Sequence, residues 1–280
     1  MRIALFGLGI IGSIWARHWR ADAFDVRVWN RTPKPGVPGF VGDAGDAARD
    51  ADLISLVVAD GQAVGAVLDQ ILDKIKLGTI VAQHGTIGAD ETRLFARRVL
   101  ERGAHYLDMP FTGSKTGAEN RQTVFMVGGD SAVFEKVEKV YSRISKKILP
   151  VGKIGDAAAL KLALNLLLAN FYQGMAESFR LAQQAGISKE TFFDAIDFHA
   201  SKSFLTESKK PLLMADDFAP QFSVKHMHKD LMLALDLARS LGLLLPQTGV
   251  LETSYTKAEE MGLADMDYAS LIRTIQNAGD

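Results

Sequence analysis

No cysteine occurs among the 280 residues. That absence excludes disulfides, thiolate nucleophiles and cysteine-ligated metals, and it fits a reducing, cytoplasmic setting. An excess of one charge is also missing: 32 Lys and Arg face 33 Asp and Glu, a formal net charge of −1. Such a balance supplies no drive toward nucleic acid or an anionic membrane. Long hydrophobic runs are absent too. The apolar opening is broken by Gly7, Gly9 and Gly12, so it does not read as a secretory signal. The richest apolar stretch, residues 160–172, carries Lys161, Asn165 and Asn170; it is too short and too polar to cross a bilayer and reads as a buried helix. What is present, 48% hydrophobic and 23% charged residues, suits a globular protein with a large core. A length of 280 residues allows one large domain or two ordinary ones.

Up to about residue 154, short β-type runs alternate with helical ones. Residues 3–6, 26–29, 53–58, 79–82, 105–108, 124–127 and 148–151 read as strands. Several are apolar throughout, as expected of strands covered on both faces. Helical stretches lie between them, at residues 14–21, 61–74 and 90–101. This alternation predicts an α/β, Rossmann-type doubly wound, mainly parallel sheet over residues 1–154. From residue 155 to 280 the pattern is all helical. A long helix over residues 157–185 joins the two domains, and helices at 189–200, 224–241 and 247–261 follow, with a short one after Asp267. The long helix is apolar almost all round, which predicts a homodimer or homotetramer with the helical halves packed together.

Gly7-Leu8-Gly9-Ile10-Ile11-Gly12 follows the first strand and opens a helix. Gly7 suits a tight turn, Gly9 a close backbone approach to a pyrophosphate, and Gly12 close packing of helix on strand. The helix N-terminus offers N–H groups and partial positive charge to phosphates. After the second strand come Asn30, Arg31 and Thr32, where NAD-binding folds usually place an acid for the ribose 2′-hydroxyl. A guanidinium and a hydroxyl suit a 2′-phosphate instead, so NADP is predicted over NAD. Lys34 can add charge there, and Val58, ending the third strand, joins the cofactor-binding set.

Three further segments carry chemistry. Asp108-Met109-Pro110-Phe111-Thr112-Gly113-Ser114-Lys115 follows a strand, where substrate loops sit in open α/β sheets. Lys161 and Asn165 stand at i and i+4 on one face of an otherwise apolar helix. An ammonium there should border a cavity, a ligand or a partner, or else snorkel to the surface; burial would suit it to proton transfer. His226 and His228 do not share a helical face, and no metal site is expected.

Together these residues resemble the β-hydroxyacid dehydrogenase family, which includes 3-hydroxyisobutyrate dehydrogenase. Gly113-Ser114-Lys115 with Ala118-Glu119 is similar to the glyoxylate/succinic semialdehyde reductase branch. The resemblance runs over nearly the whole chain. It covers Phe6 to Gly12, Asp108 to Lys115, Gly152 to Asn165, and Phe222 with Lys225-His226 and Lys229-Asp230-Leu231. It implies that Lys161 is the general acid and that Asn165 positions the substrate. It implies that Thr112 and Gly113 bind a carboxylate, that Phe222 shapes the pocket and that Asp230 holds the arrangement. Thr86 and Lys229 would lie on the cofactor side. The implied activity is NADPH-dependent reduction of a small aldehydo- or keto-acid. A 3-hydroxyisobutyrate-type dehydrogenase, an imine reductase and a non-catalytic NADP-binding scaffold are the alternatives. Three departures bear on substrate identity: Phe111-Thr112-Gly113 for Val-Ser-Gly, Gln83-His84-Gly85-Thr86 for acidic-x-Ser-Thr, and Arg121-Gln122-Thr123 for Gly-x-Leu. His84 is a candidate contact to nicotinamide or substrate.

Overall fold

The computed structural model describes residues 1–275. The chain divides into two compact units, Met1–Lys161 and a second from Leu162 onward. The first unit is a sheet with helices on both faces. Its elements run β1 (Arg2–Phe6), α1 (Ile10–Ala21), β2 (Asp25–Trp29), α2 (Ala44–Ala48), β3 (Leu53–Leu56), α3 (Gly61–Ile71), β4 (Ile80–Gln83) and α4 (Ala89–Leu100). Then follow β5 (His105–Asp108), β6 (Phe111–Thr112), α5 (Ser114–Glu119), β7 (Thr123–Gly128), α6 (Ser131–Tyr141) and β8 (Ser145–Gly152).

The strands pair in the order β2-β1-β3-β4-β5-β7-β6, with β8 added to β7. From β2 to β5 every pairing is parallel. The antiparallel pairings are those of β7 with β5 and of β7 with the two-residue β6. The doubly wound, mainly parallel sheet expected from the sequence is therefore the fold. Strand β1 shows why its residues are apolar without alternation. Ile3 and Leu5 enter the core on one face with Trp15, Trp19, Phe125 and Tyr141, whereas Ala4 and Phe6 enter the core on the other with Val64, Leu68 and Phe95. Successive side chains feed opposite layers, and both layers are dry.

Helix α7 (Asp156–Gln184) is the long helix, and the division between the units falls inside it. Among the described residues the helices of the second unit are the rest of α7, α8 (Lys189–Ile196), α9 (Phe204–Ala215), α10 (Val224–Ser240), α11 (Pro246–Glu260) and a 3₁₀ turn (Tyr268–Thr274), with one isolated antiparallel bridge between Ser223 and Asp267. Its core gathers Tyr172, Met175 and Phe179 of α7 with Phe193, Leu213, Met227, Leu231 and Tyr255. No helix among the described residues is long and apolar enough to cross a membrane.

Candidate active site

The glycine loop has the geometry its residue types suggest. Gly7 has φ +105°, and a Cβ there would lie 2.2 Å from the carbonyl oxygen of Val57. A Cβ on Gly12 would lie 2.0 Å from the carbonyl oxygen of Gly7, so loop and helix touch backbone to backbone. Gly9 differs: nothing lies within 4 Å of its Cβ position. Gly9 opens α1 with no side-chain cap, and no acidic residue occupies the first turn. A helix start without cap or acid, beside a glycine facing open space, is suited to the pyrophosphate of a dinucleotide. Residues 7–12 therefore fit such a cofactor.

The residues after β2 brace this loop. Asn30 Oδ1 accepts from the Leu8 N–H at 2.8 Å, and Asn30 Nδ2 donates to the Thr32 carbonyl at 2.8 Å. Lys34 Nζ donates to the Leu8 carbonyl at 2.6 Å. Leu8 is buried with both main-chain groups engaged within the chain, so it holds the loop rather than offering its N–H outward. Arg31 and Thr32 are exposed. Ile10 is exposed and Ile11 half-buried.

Two strand ends close on the same loop. Val58 Cγ1 lies 3.2 Å from the Cβ position of Gly7, and the Val58 carbonyl oxygen lies 2.4 Å from that of Gly85. Gly85 is thus the residue that this approach admits, which accounts for the hydroxyl missing there. Thr86, next in the loop, is half-buried. His84 is not at the surface of the site. It is 1% exposed, with Nδ1 2.8 Å from the Met109 carbonyl and Nε2 3.0 Å from the Tyr141 hydroxyl. Trp15, Phe125 and Tyr141 surround its ring, and burial lowers its pKa to about 4. It is a core histidine, and the expectation of a ligand contact is corrected.

The segment after β5 begins with a buried carboxylate. Asp108 Oδ2 accepts from the N–H groups of Gly155 at 3.0 Å and Ala158 at 2.9 Å. Phe111 packs its ring 4.9 Å from that of Trp15, which explains a residue bulkier than Val. Thr112 is exposed on β6, and Gly113, at φ +135°, starts α5. Arg121 also has positive φ, +56°, where glycine would be unstrained. Its guanidinium donates twice to Asp22, at 2.6 and 3.1 Å, and once to the Arg143 carbonyl at 2.8 Å. That bidentate pair offsets the backbone strain.

On α7, Lys161 is 9% exposed and Asn165 4% exposed, one turn apart on the same face. Within the second unit, Asn165 Nδ2 donates to Asp230 Oδ2 at 2.6 Å, while Lys229 Nζ lies 2.7 Å from Asp230 Oδ1. One buried carboxylate thus holds the two polar side chains from α7 and α10. Phe222 is half-buried beside His226, its ring 6.2 Å away and stacked. His226 Nδ1 pairs with Ser223 Oγ at 2.7 Å, whereas His228 lies near Glu259 and stacks on Tyr255. No group of three or more metal-ligating side chains is arranged for an ion among the described residues.

A pair absent from the sequence reading supports Phe222. Lys209 Nζ lies 2.7 Å from Asp267 Oδ1, both side chains buried. Asp267 Oδ2 accepts from the N–H groups of Gln221 at 3.2 Å and Phe222 at 3.1 Å. Lys209 and Asp267 are 58 residues apart, and only the fold reveals the pairing.

Fold and loop define a dinucleotide-binding α/β protein with a helical second unit. Residues 2–152 match the NAD-binding domain of 6-phosphogluconate dehydrogenase, and residues 155–275 match the NAD-binding domain of NADP-dependent 3-hydroxyisobutyrate dehydrogenase. The chain belongs to the β-hydroxyacid dehydrogenase family and is an NAD(P)-dependent oxidoreductase acting on CH–OH groups. It is 26% identical to glyoxylate/succinic semialdehyde reductase 1 of Arabidopsis thaliana, over 99% of both chains. It is 31% identical to an uncharacterized oxidoreductase of Synechocystis, also over 99% of both. The solved structure of Mycobacterium tuberculosis 3-hydroxyisobutyrate dehydrogenase with L-serine superposes with TM-score 0.89 at 26% identity, covering 99% of this chain and 100% of that one.

Proposed function

We propose that this chain reduces a small aldehydo- or keto-acid of the glyoxylate or succinic semialdehyde type to the hydroxy acid, with NADPH as cofactor and Lys161 as general acid. The observation that carries the reading is the buried Lys161, one helical turn from an Asn165 whose amide is held by Asp230. A buried ammonium suits delivery of a proton, and an amide fixed by a carboxylate suits holding a substrate in one orientation. When bound, the dinucleotide supplies the hydride.

Each residue then has a part. Gly7 to Gly12 receive the pyrophosphate, and Arg31 with Thr32 receives the 2′-phosphate beside Asn30. Val58, Thr86 and Lys229 are assigned to cofactor binding. Thr112 Oγ1 and the Gly113 N–H bind the substrate carboxylate. Phe222 supplies an apolar wall, and Asp230 keeps Asn165 in place. Lys161 protonates the carbonyl oxygen as the carbon takes up hydride. The name of the Arabidopsis relative supports the substrate class, and the absence of an acid at position 30 supports NADP.

The working form is a cytoplasmic homodimer or homotetramer. Leu167 and Leu181 of α7 are 62% and 73% exposed, an apolar surface that a second copy would cover. Sedimentation at micromolar concentration checks this, and a strict monomer refutes it.

The decisive experiment follows NADPH oxidation with glyoxylate, succinic semialdehyde, related keto-acids and a cyclic imine. Turnover of the acids, abolished in Lys161→Ala with NADPH affinity retained, is the expected result. Activity on the imine alone assigns imine reduction instead. Tight NADPH binding with no turnover of any compound assigns the non-catalytic reading.

A further inference from the structure

Helix α7 has no side chain of its own at its first capping position. That position is Gly155, at φ +95°, with Arg93 Nε only 2.8 Å from where a Cβ would stand. The cap comes from elsewhere in the chain. Asp108, the last residue of β5, accepts from the Gly155 and Ala158 N–H groups through Oδ2. This is the bonding of an N-cap, supplied by a strand about 50 residues earlier in sequence. Asp108 is fully buried, and its other oxygen, Oδ1, has no hydrogen-bond partner among the described residues.

The connections on either side of Asp108 give this cap a consequence. Toward its C-terminal side the chain runs directly into Pro110, Thr112 and Gly113, the segment proposed to bind carboxylate. On the helix side, Ala158 lies three residues before Lys161, so the capped turn leads straight into the turn that carries the lysine. We propose that Asp108 is a positioning residue: its buried carboxylate locks the first turn of α7 to the strand end from which the substrate segment departs, and so sets Lys161 relative to Thr112 and Gly113. This rests on the reading of Lys161 as proton donor.

The bonds holding the helix are charge-assisted while Asp108 is ionised and weaken when it is protonated. The groups facing it are Asp156 from α7, Arg93 from α4 and the buried Tyr106 hydroxyl on its own strand. Burial is the largest influence and raises its pKa to about 6; the two N–H bonds oppose this, Asp156 adds to it and Arg93 opposes it. Below that point the clamp loosens. A shift of roughly 1 Å in a catalytic group is enough to lower a rate by about 100-fold.

The test compares wild type, Asp108→Asn, Arg93→Gln and Lys161→Ala from about pH 5 to about pH 8, with NADPH and the acid that the wild type turns over best. In the wild type, kcat should fall on the acid side with a midpoint near 6. Asp108→Asn should keep its NADPH affinity within about twofold, lose at least about tenfold in kcat at neutral pH, and show no acid limb of its own. Arg93→Gln should keep the neutral kcat and move the acid limb upward, because it removes a positive charge facing the carboxylate. A protonated-carboxyl infrared band that titrates in the wild type should be missing in Asp108→Asn. Wild-type kcat or an unchanged acid limb in Asp108→Asn overturns the proposal, as does an unmoved limb in Arg93→Gln should the first variant fail to fold. Lys161→Ala separates the two readings. If it is inactive while Asp108→Asn behaves as wild type, only the positioning role fails; if it turns over normally, the proton-donor reading fails first.

Discussion

Asn165 and Asp230 are joined by a 2.6 Å hydrogen bond between buried side chains, and the same carboxylate lies 2.7 Å from the Lys229 ammonium. Neither Asn165 nor Lys229 can be reoriented without breaking a charge-assisted contact to Asp230. Asp230→Ala removes the acceptor of a buried amide and the carboxylate 2.7 Å from Lys229 Nζ. It should lower stability by about 1–3 kcal/mol and lower kcat by at least about tenfold. Asp230→Asn keeps the shape and one acceptor oxygen, so its loss of stability should be smaller. Urea melts and steady-state kinetics check both. A folded Asp230→Ala with unchanged kcat would remove Asp230 from the site.

The glycine loop separates two roles that a sequence motif merges. Gly9→Ala places a methyl in open space, at a backbone φ of −72° that alanine adopts freely. Stability should change by no more than about 0.5 kcal/mol. NADPH affinity should fall by more than about tenfold, since the methyl stands where the pyrophosphate would approach. Gly12→Ala should do the reverse of this in its first effect. Its methyl meets the Gly7 carbonyl at 2.0 Å, which is backbone and must move, so stability should fall by about 1–3 kcal/mol. Thermal melts and NADPH fluorescence titration distinguish the two. If both variants bind NADPH normally, the cradle is elsewhere.

Cofactor choice is assigned to Arg31, which is exposed, while Asn30 and Lys34 are already bonded to Leu8. Losing one charge-assisted contact to a 2′-phosphate is worth about 1.5–3 kcal/mol. Arg31→Ala should therefore raise the NADPH KM by roughly 10- to 100-fold and leave the NADH KM within about twofold. An equal change for both cofactors would mean that Arg31 does not read the phosphate.

How far the sequence discloses this molecule depends on whether the cause is local. Seven of the eight strands of the first unit were legible as short apolar runs ended by a turn, the two-residue β6 being too short to show one, and Gly7 and Gly12 because their need for glycine is steric and close in sequence. Helix α9 was not anticipated. Pro211 stands inside it and signals a break, yet a capping box at Ser203 and Thr206 starts the helix and buried Leu205, Leu212 and Leu213 retain it. His84 looked like an unusual residue in a cofactor loop. In fact its ring satisfies a carbonyl and a hydroxyl inside an aromatic core, and nothing nearby in sequence announces Trp15, Phe125 or Tyr141. Asp108 and Asp267 carry partners 47 to 58 residues away, so their roles are properties of the fold.

Two of these buried groups make opposite demands on pH. His84 has its pKa lowered by burial to about 4, below the ordinary 6.5. The stability it contributes is present above pH 6.5 and is lost as pH falls toward 4. Asp108 has its pKa raised by burial to about 6, above the ordinary 3.8. Its contribution is present below pH 3.8 and is lost as pH rises through about 6. Each effect amounts to roughly 3 kcal/mol across its window, with opposite sign, and the windows nearly coincide. Between pH 4 and 6 the two groups therefore offset each other, and their joint contribution to stability should be nearly flat. Asp108→Asn removes one side of that balance. Its stability should fall more steeply than that of the wild type on acidification, as His84 is left unopposed. Urea denaturation at half-unit steps of pH reads both slopes. Parallel curves for the two proteins would show that Asp108 does not titrate in this range, and would remove the acid-side loosening of α7 along with it.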